Sequence, residues 1–260
     1  MSLHLMSSMA PIEAANWPYP RWIAHRGAGR LAPENTLSAF RLGRAYGYRM
    51  FECDVRLSAD GVPFLLHDDL LERTTNGHGL AEALDWTALS QLDAGSWHSP
   101  PFSGERLPSL QEVTRFCHEA NCGLNVELKP GPGSEHETGR VVAETLARGW
   151  RGALLPVLSS FQSAALAGAR QAADFLPRAL LVENLAPGYL DAALELGCSA
   201  MVVEHSLITA QVVEQLAAAG LALLSYTVND DAEAERLLTL GVQGIITDRV
   251  DHFDPLSGTV

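Results

Sequence analysis

Apolar positions along this chain follow two alternating rhythms. Short unbroken runs fall at Trp22–His25, Met50–Leu57, Val62–His67, Gly123–Lys129, Ala153–Ser159, Arg178–Glu183, Ala200–His205, Leu221–Val228 and Gly244–Thr247. Such runs, rich in Val, Ile and Leu, suit strands buried on both faces. Between them, apolar residues recur every three to four positions over Thr36–Tyr46, Ser109–Glu119, Glu135–Arg148, Pro187–Leu196, Thr209–Ala219 and Asp231–Leu240, which predicts amphipathic helices. Gly47, Gly149, Gly197, Gly220 and Gly241 stand where those helices should stop, as glycine commonly does at a helix C-terminus.

Strand–helix alternation implies βα units and a parallel sheet. Counting Val62–His67 with the strand before it leaves about eight strand positions, which fits an α/β (β/α)8 barrel. The competing architecture, an open doubly wound sheet, would be favoured by a GxGxxG turn after the first strand, and none is there. One barrel domain is expected over residues 20–250, with residues 1–19 as an N-terminal tail. The rhythm breaks between Asp68 and Leu107, where a turn-rich text with two tryptophans reads as an inserted subdomain or lid. It follows a strand's C-terminal end, where barrel active sites are built.

That architecture changes the meaning of the polar residues at the strand ends, because all of them converge on one mouth. The first strand ends in His25-Arg26, the second carries Glu52 and Asp54, the third ends in His67, and the strand GLNVELK carries Glu127 and Lys129. Residues two apart on a strand point to one side, so Glu52 pairs with Asp54 and Glu127 with Lys129. Singly, each has a plain structural reading: a hydrogen-bonded strand-end histidine, a salt-bridged acidic pair. Together, carboxylates packed into one mouth repel each other unless a cation binds them. All-oxygen ligation describes a hard divalent ion, Mg2+ or Ca2+. Two histidines beside it suit acid–base chemistry on a phosphate ester, one ring taking a proton while the other gives one.

Composition narrows the partners. The formal net charge of −13 argues against nucleic acid as the main partner, while allowing a small phosphate ester in a locally positive or metal-bearing pocket. No stretch approaches the roughly 18 unbroken apolar residues of a membrane span, so no stable membrane insertion is expected. The first ten residues lack the basic start of a signal peptide. Cys53, Cys117, Cys122 and Cys198 form no CxxC motif and read as buried thiols of a reducing, cytoplasmic compartment. Self-association into a homo-oligomer is compatible with the sequence. Seventeen arginines accompany a single lysine, Lys129, and that lysine falls in the candidate site, where a compact ammonium differs from a planar fork.

The ordered set HRGAGRLAPENT, ECDVRLSADGVPFLLHDDLLERTTNGHG, DAGSWHSPPFSGERLPSL, NVELKP, LSSF, YTVND and GIITD resembles the glycerophosphodiester phosphodiesterases over nearly the whole chain. The resemblance implies a TIM barrel with an insertion and hydrolysis of glycerophosphodiesters to sn-glycerol 3-phosphate and an alcohol through a cyclic phosphate. It also implies His25 and His67 as the catalytic pair, Glu52, Asp54 and Glu127 as metal ligands, and Arg26 and Lys129 facing the phosphate. Glu34 and Asn35 match the family's ENT element and are expected to brace the site. Tyr226 stands where the family usually has tryptophan, so the aromatic wall keeps a ring but gains a hydroxyl. Alternatives are a related barrel acting on lysophospholipids and a non-catalytic phosphodiester-binding barrel. Among other candidates, Glu183, Glu204 and His205 sit near strand ends and read as salt-bridged. His78, His98, His118, His136 and His252 read as surface groups, and Trp97 and Phe102 as either a substrate shelf or the insert's own core.

Overall fold

A computed structural model describes residues 17–256. Nine strands form one sheet: β1 (Trp22–Ala24), β2 (Met50–Leu57), β3 (Pro63–Leu65), β4 (Gly123–Leu128), β5 (Val157–Ser160), β6 (Arg178–Val182), β7 (Ala200–Glu204), β8 (Ala222–Tyr226) and β9 (Gly244–Thr247). Eight of them run parallel in the order β1-β9-β8-β7-β6-β5-β4-β2, and the pairing of Ala24 with Phe51 closes the ring between β1 and β2. The ninth, β3, is antiparallel to β2 and stands outside the ring, so the stretch Val62–His67 is a hairpin return of the second barrel strand. The closed parallel barrel is the (β/α)8 architecture expected from the alternation.

Helices α1 (Leu37–Ala45), α2 (Trp86–Leu89), α3 (Leu110–Ala120), α4 (Glu135–Gly149), α5 (Ser163–Ala172), α6 (Tyr189–Glu195), α7 (Ala210–Ala218) and α8 (Asp231–Leu240) follow the strands. Their starts are set by side-chain caps: Thr36 accepts from Ala39, Ser109 forms a capping box with Glu112, and Thr209 and Asp230 accept from Val212 and Glu233. Two boundaries differ from the sequence reading. The strand expected from Ala153 starts at Val157, after Pro156, and the helix expected from Pro187 starts at Tyr189, after Gly188 in the left-handed region. Two helices, the one-turn α2 of the insert and α5, fall in stretches the apolar period did not single out.

The main core lies between strands and helices, with Phe40, Phe51, Val113, Leu124, Leu166 and Leu216 among its buried members. A second cluster fills the barrel interior, built on Ile23, Met50, Val157, Ala179, Val202 and Leu224. Trp17 and Tyr19, at the end of the segment read as a tail, pack against this interior cluster. The segment 68–107 has a small core of its own in Leu71, Ala81, Leu89, Ala94 and Leu107, packed with Phe64 and Leu66. That core keeps the segment fixed against the C-terminal rim of the barrel.

Candidate active site

Strand geometry decides which side chains meet. Glu52 and Asp54 alternate with Cys53 on β2, Glu127 lies on the neighbouring β4, and Asp54 pairs in register with Glu127. Glu52 and Asp54 are buried. One carboxylate oxygen from each of Glu52, Asp54 and Glu127 lies within 4.8 Å of the other two. Glu52 Oε1 and Asp54 Oδ1 accept no hydrogen bond among the described residues. Burial raises the Glu52 carboxyl well above its ordinary value, and Asp54 and Glu127 push it further. Burial and then Asp54 push Glu127 up to about 7. Buried acceptors left unpaired among like charges are costly. An oxygen-ligated divalent cation relieves both problems, so the donor set fits one.

Cations border the trio. Lys129 Nζ lies 3.0 Å from Glu127 and 4.0 Å from Asp54. Arg26 Nε lies 3.0 Å from Asp54 Oδ2, and its Nη1 donates to Glu34 at 2.8 Å. Burial would lower the Arg26 guanidinium, but Asp54, Glu34 and Glu52 reverse this and raise it. Asn35 bonds both ends of the same residue, donating Nδ2–H to Asp54 Oδ2 at 2.8 Å and accepting the Asp54 backbone N–H at 3.1 Å. It does so at φ 59, a left-handed conformation that asparagine tolerates better than most residues. Burial would raise Asp54, yet Arg26, His67, Lys129 and Asn35 hold it below the usual carboxylate range.

Both histidines reach this centre, and each is held from behind by a carboxylate. His25 Nδ1 lies 2.7 Å from Asp248 Oδ1, while its Nε2 faces Glu52 at 3.8 Å. Asn229 donates to the other Asp248 oxygen at 2.9 Å. His67 Nδ1 lies 2.7 Å from Asp68, while its Nε2 is 3.2 Å from Lys129 Nζ. Arg73 completes this second arrangement, donating to Asp68 at 2.5 Å and to Glu34 at 2.8 Å. Burial lowers the His67 ring, and nearby Arg26 and Lys129 add to that against the opposing Asp54 and Asp68. In a neutral ring with Nδ1–H on Asp68, Nε2 accepts from the Lys129 ammonium, so a substrate that draws Lys129 away exposes it as a base.

The match to known proteins is extensive. The Glycerophosphoryl diester phosphodiesterase family model matches residues 25–252. The chain belongs to that family. A glycerophosphodiester phosphodiesterase of Caldanaerobacter subterraneus subsp. tengcongensis is 32% identical over 232 residues, covering 87% of this chain and 93% of its own. One from Bacillus subtilis (strain 168) is 31% identical across 97% of this chain and 94% of its own. An Oleispira antarctica phosphodiesterase, solved in complex with the product sn-glycerol-3-phosphate, superposes with a TM-score of 0.85 at 36% identity, covering 88% of this chain and 93% of its own. The chain is therefore a glycerophosphodiester phosphodiesterase by family, and its fold is the family's barrel.

The residues singled out by sequence lie together at one mouth of the barrel. His25, Glu52, Glu127 and Tyr226 line a small cavity on the barrel floor with Asn125 and Ser159. The Tyr226 hydroxyl donates to the Val182 carbonyl at 3.2 Å, and its ring sits edge-on to Phe161 at 5.9 Å. Trp97 is 40% exposed and, with His98, faces His25 and Arg26 across a cavity of about 320 Å³. Phe102 packs partly buried against the main core instead. His205 bonds Glu233 at 2.8 Å and lies 3.4 Å from Glu204, the salt-bridged arrangement expected of it, and Glu183 is exposed. His78 is exposed, whereas His98 meets the Arg30 carbonyl at 3.0 Å. Sequence reading missed Asp68, Arg73, Asn229 and Asp248. Asp68 adjoins His67, Asn229 lies within YTVND and Asp248 closes GIITD, but no local spacing says that they touch the histidines. All four cysteines are buried and free, and no described helix is long and apolar enough to cross a membrane.

Proposed function

We propose that this phosphodiesterase cleaves glycerophosphodiesters to sn-glycerol 3-phosphate and an alcohol by acid–base catalysis between His67 and His25. The observation that carries the reading is the pair of carboxylate-held histidines flanking one carboxylate trio. One ring takes the proton of the glycerol hydroxyl beside the phosphate. That oxygen attacks phosphorus, the bond to the departing alcohol breaks, and the other ring delivers a proton to the alcohol oxygen. Water then opens the cyclic phosphate with the two roles reversed, so both rings end the cycle as they began.

Glu52, Asp54 and Glu127 would hold one divalent cation, Mg2+ or Ca2+. Such an ion offsets phosphoryl-oxygen charge and acidifies a coordinated hydroxyl. Lys129, beside Glu127 and Asp54, meets the phosphate as a compact charge. Arg26 is pinned between Glu34 and Asp54 and contributes a fixed positive field. Tyr226 and Phe161 form the wall for the glycerol carbons.

The test follows glycerol 3-phosphate release with a coupled dehydrogenase. His25→Ala and His67→Ala should each lose about 100-fold or more in kcat, the usual weight of a general acid or base. A substrate lacking the hydroxyl next to the phosphate should resist cleavage altogether. Cleavage of that deoxy analogue at an undiminished rate would remove the cyclic route.

A further inference from the structure

A second, larger cavity adjoins the catalytic mouth, and nothing above uses it. It measures about 550 Å³ and runs between the insert and the β4–α4 loop. Lys129 and Arg56 line it and also line a 210 Å³ pocket that contains Glu127, so the two spaces meet at the phosphate end of the site. A diester seated on Lys129 therefore has this cavity open to one of its two arms.

The far end carries a carboxylate. Glu82 lies on the 3-10 turn Ala81–Ala83 of the insert and is half-buried. Its side chain makes no hydrogen bond or ion pair among the described residues. Its position is set by a glycine: a Cβ on Gly131 would lie 1.8 Å from Glu82 Oε2 and 2.8 Å from Oε1. The carboxylate thus lies flat over the Gly131 backbone, in space that no other residue would leave. Nearby charges are already taken. Arg56 donates to the His67 carbonyl at 2.9 Å and pairs with Asp69, and Glu137 on the opposite wall pairs with Arg140 at 2.6 Å. The cavity lining thus offers a positive group in Lys129 and, in Glu82, one unpaired negative group.

We propose that this cavity receives the departing alcohol and that Glu82 selects an alcohol bearing a primary ammonium, as in glycerophosphoethanolamine. The inference rests on the phosphodiesterase reading above and adds the identity of the leaving group. A phosphate followed two carbons later by an ammonium matches a lysine-to-glutamate polarity. No aromatic residue lines the cavity. A quaternary ammonium is recognised chiefly by aromatic faces, whereas an –NH3+ group donates hydrogen bonds to a carboxylate. Choline is therefore the poorer fit, and glycerol offers Glu82 only neutral hydroxyl donors without a charge.

Three substrates decide the matter on the full chain: glycerophosphoethanolamine, glycerophosphocholine and glycerophosphoglycerol. The ethanolamine diester should lead in kcat/KM, mainly through KM. Glu82→Gln should cut kcat/KM for it about tenfold more than for glycerophosphoglycerol, the weight of one charge-assisted hydrogen bond. Gly131→Ala, which evicts the carboxylate from its seat, should shift the same ratio in the same direction. Equal kcat/KM for the three substrates, or an equal fall on all three in Glu82→Gln, overturns the assignment. Absence of turnover with every substrate defeats the catalytic reading instead. Calorimetry then judges the cavity, and equal glycerophosphoethanolamine affinity in wild type and Glu82→Gln overturns it.

Discussion

Asp248 supports His25 as Asp68 supports His67, yet the two carboxylates are supported in different ways. Asp68 is locked by the Arg73 guanidinium, whereas Asp248 has a neutral amide from Asn229. Burial would raise the Asp248 carboxyl, and the bond to His25 overrides this and keeps it below its ordinary value. An ionised Asp248 can only accept, so it fixes the His25 tautomer with its proton on Nδ1. Asp248→Asn can offer an N–H there and invert that tautomer. The expected result is a fall of about 100-fold in kcat with KM and melting temperature nearly unchanged. An Asn variant as active as wild type would show that the ring needs no such anchor. Asp248 could not be recognised beforehand because its meaning arises only where β9 pairs with β1, about the whole chain length away from His25. The histidines and the acidic trio were legible because strand alternation and the barrel's single mouth are local and global rules that agree.

At the level of the elements, the strands and most helices could be read from apolar period, but α5 could not. Its sequence, SAALAGARQA, offers almost no bulky apolar residue to set a 3.6-residue rhythm. Small residues are what its contact needs. A Cβ on Gly168 would fall 2.0 Å from the His136 carbonyl, and one on Gly139 of α4 would fall 1.8 Å from the Ala165 carbonyl. The two helices touch backbone to backbone, so the pattern that hides α5 is the pattern that packs it. Gly139→Ala would gain about 1 kcal/mol of helix propensity. It must also push two helices apart, a cost of about 1–3 kcal/mol or more. Net destabilisation by denaturant titration is expected, while Gly149→Ala, with open space at the end of the same helix, should be neutral or stabilising. Equal behaviour of the two variants would contradict the close approach.

For the molecule as a whole, the acidic trio ties stability to both protons and metal. Burial and then Asp54 push the Glu127 carboxyl from its ordinary 4.5 up to about 7. Between those values the folded state keeps a proton that the unfolded chain has released. The stability from that proton is fully present at acid pH and is lost as pH rises through about 7. A divalent ion takes the deprotonated trio and acts in the opposite sense. The melting-temperature gain from Mg2+ or Ca2+ over EDTA should therefore be small at about pH 5.5 and grow towards about pH 8. A gain that does not depend on pH, or one largest in acid, would separate these carboxylates from the ion.

His25 stands at the end of β1 and its anchor Asp248 just beyond β9, on two strands that lie side by side where the ring closes. Two residues 223 positions apart in the chain thus form the two halves of a single group. A product truncated before Asp248 would carry a histidine with nothing behind it.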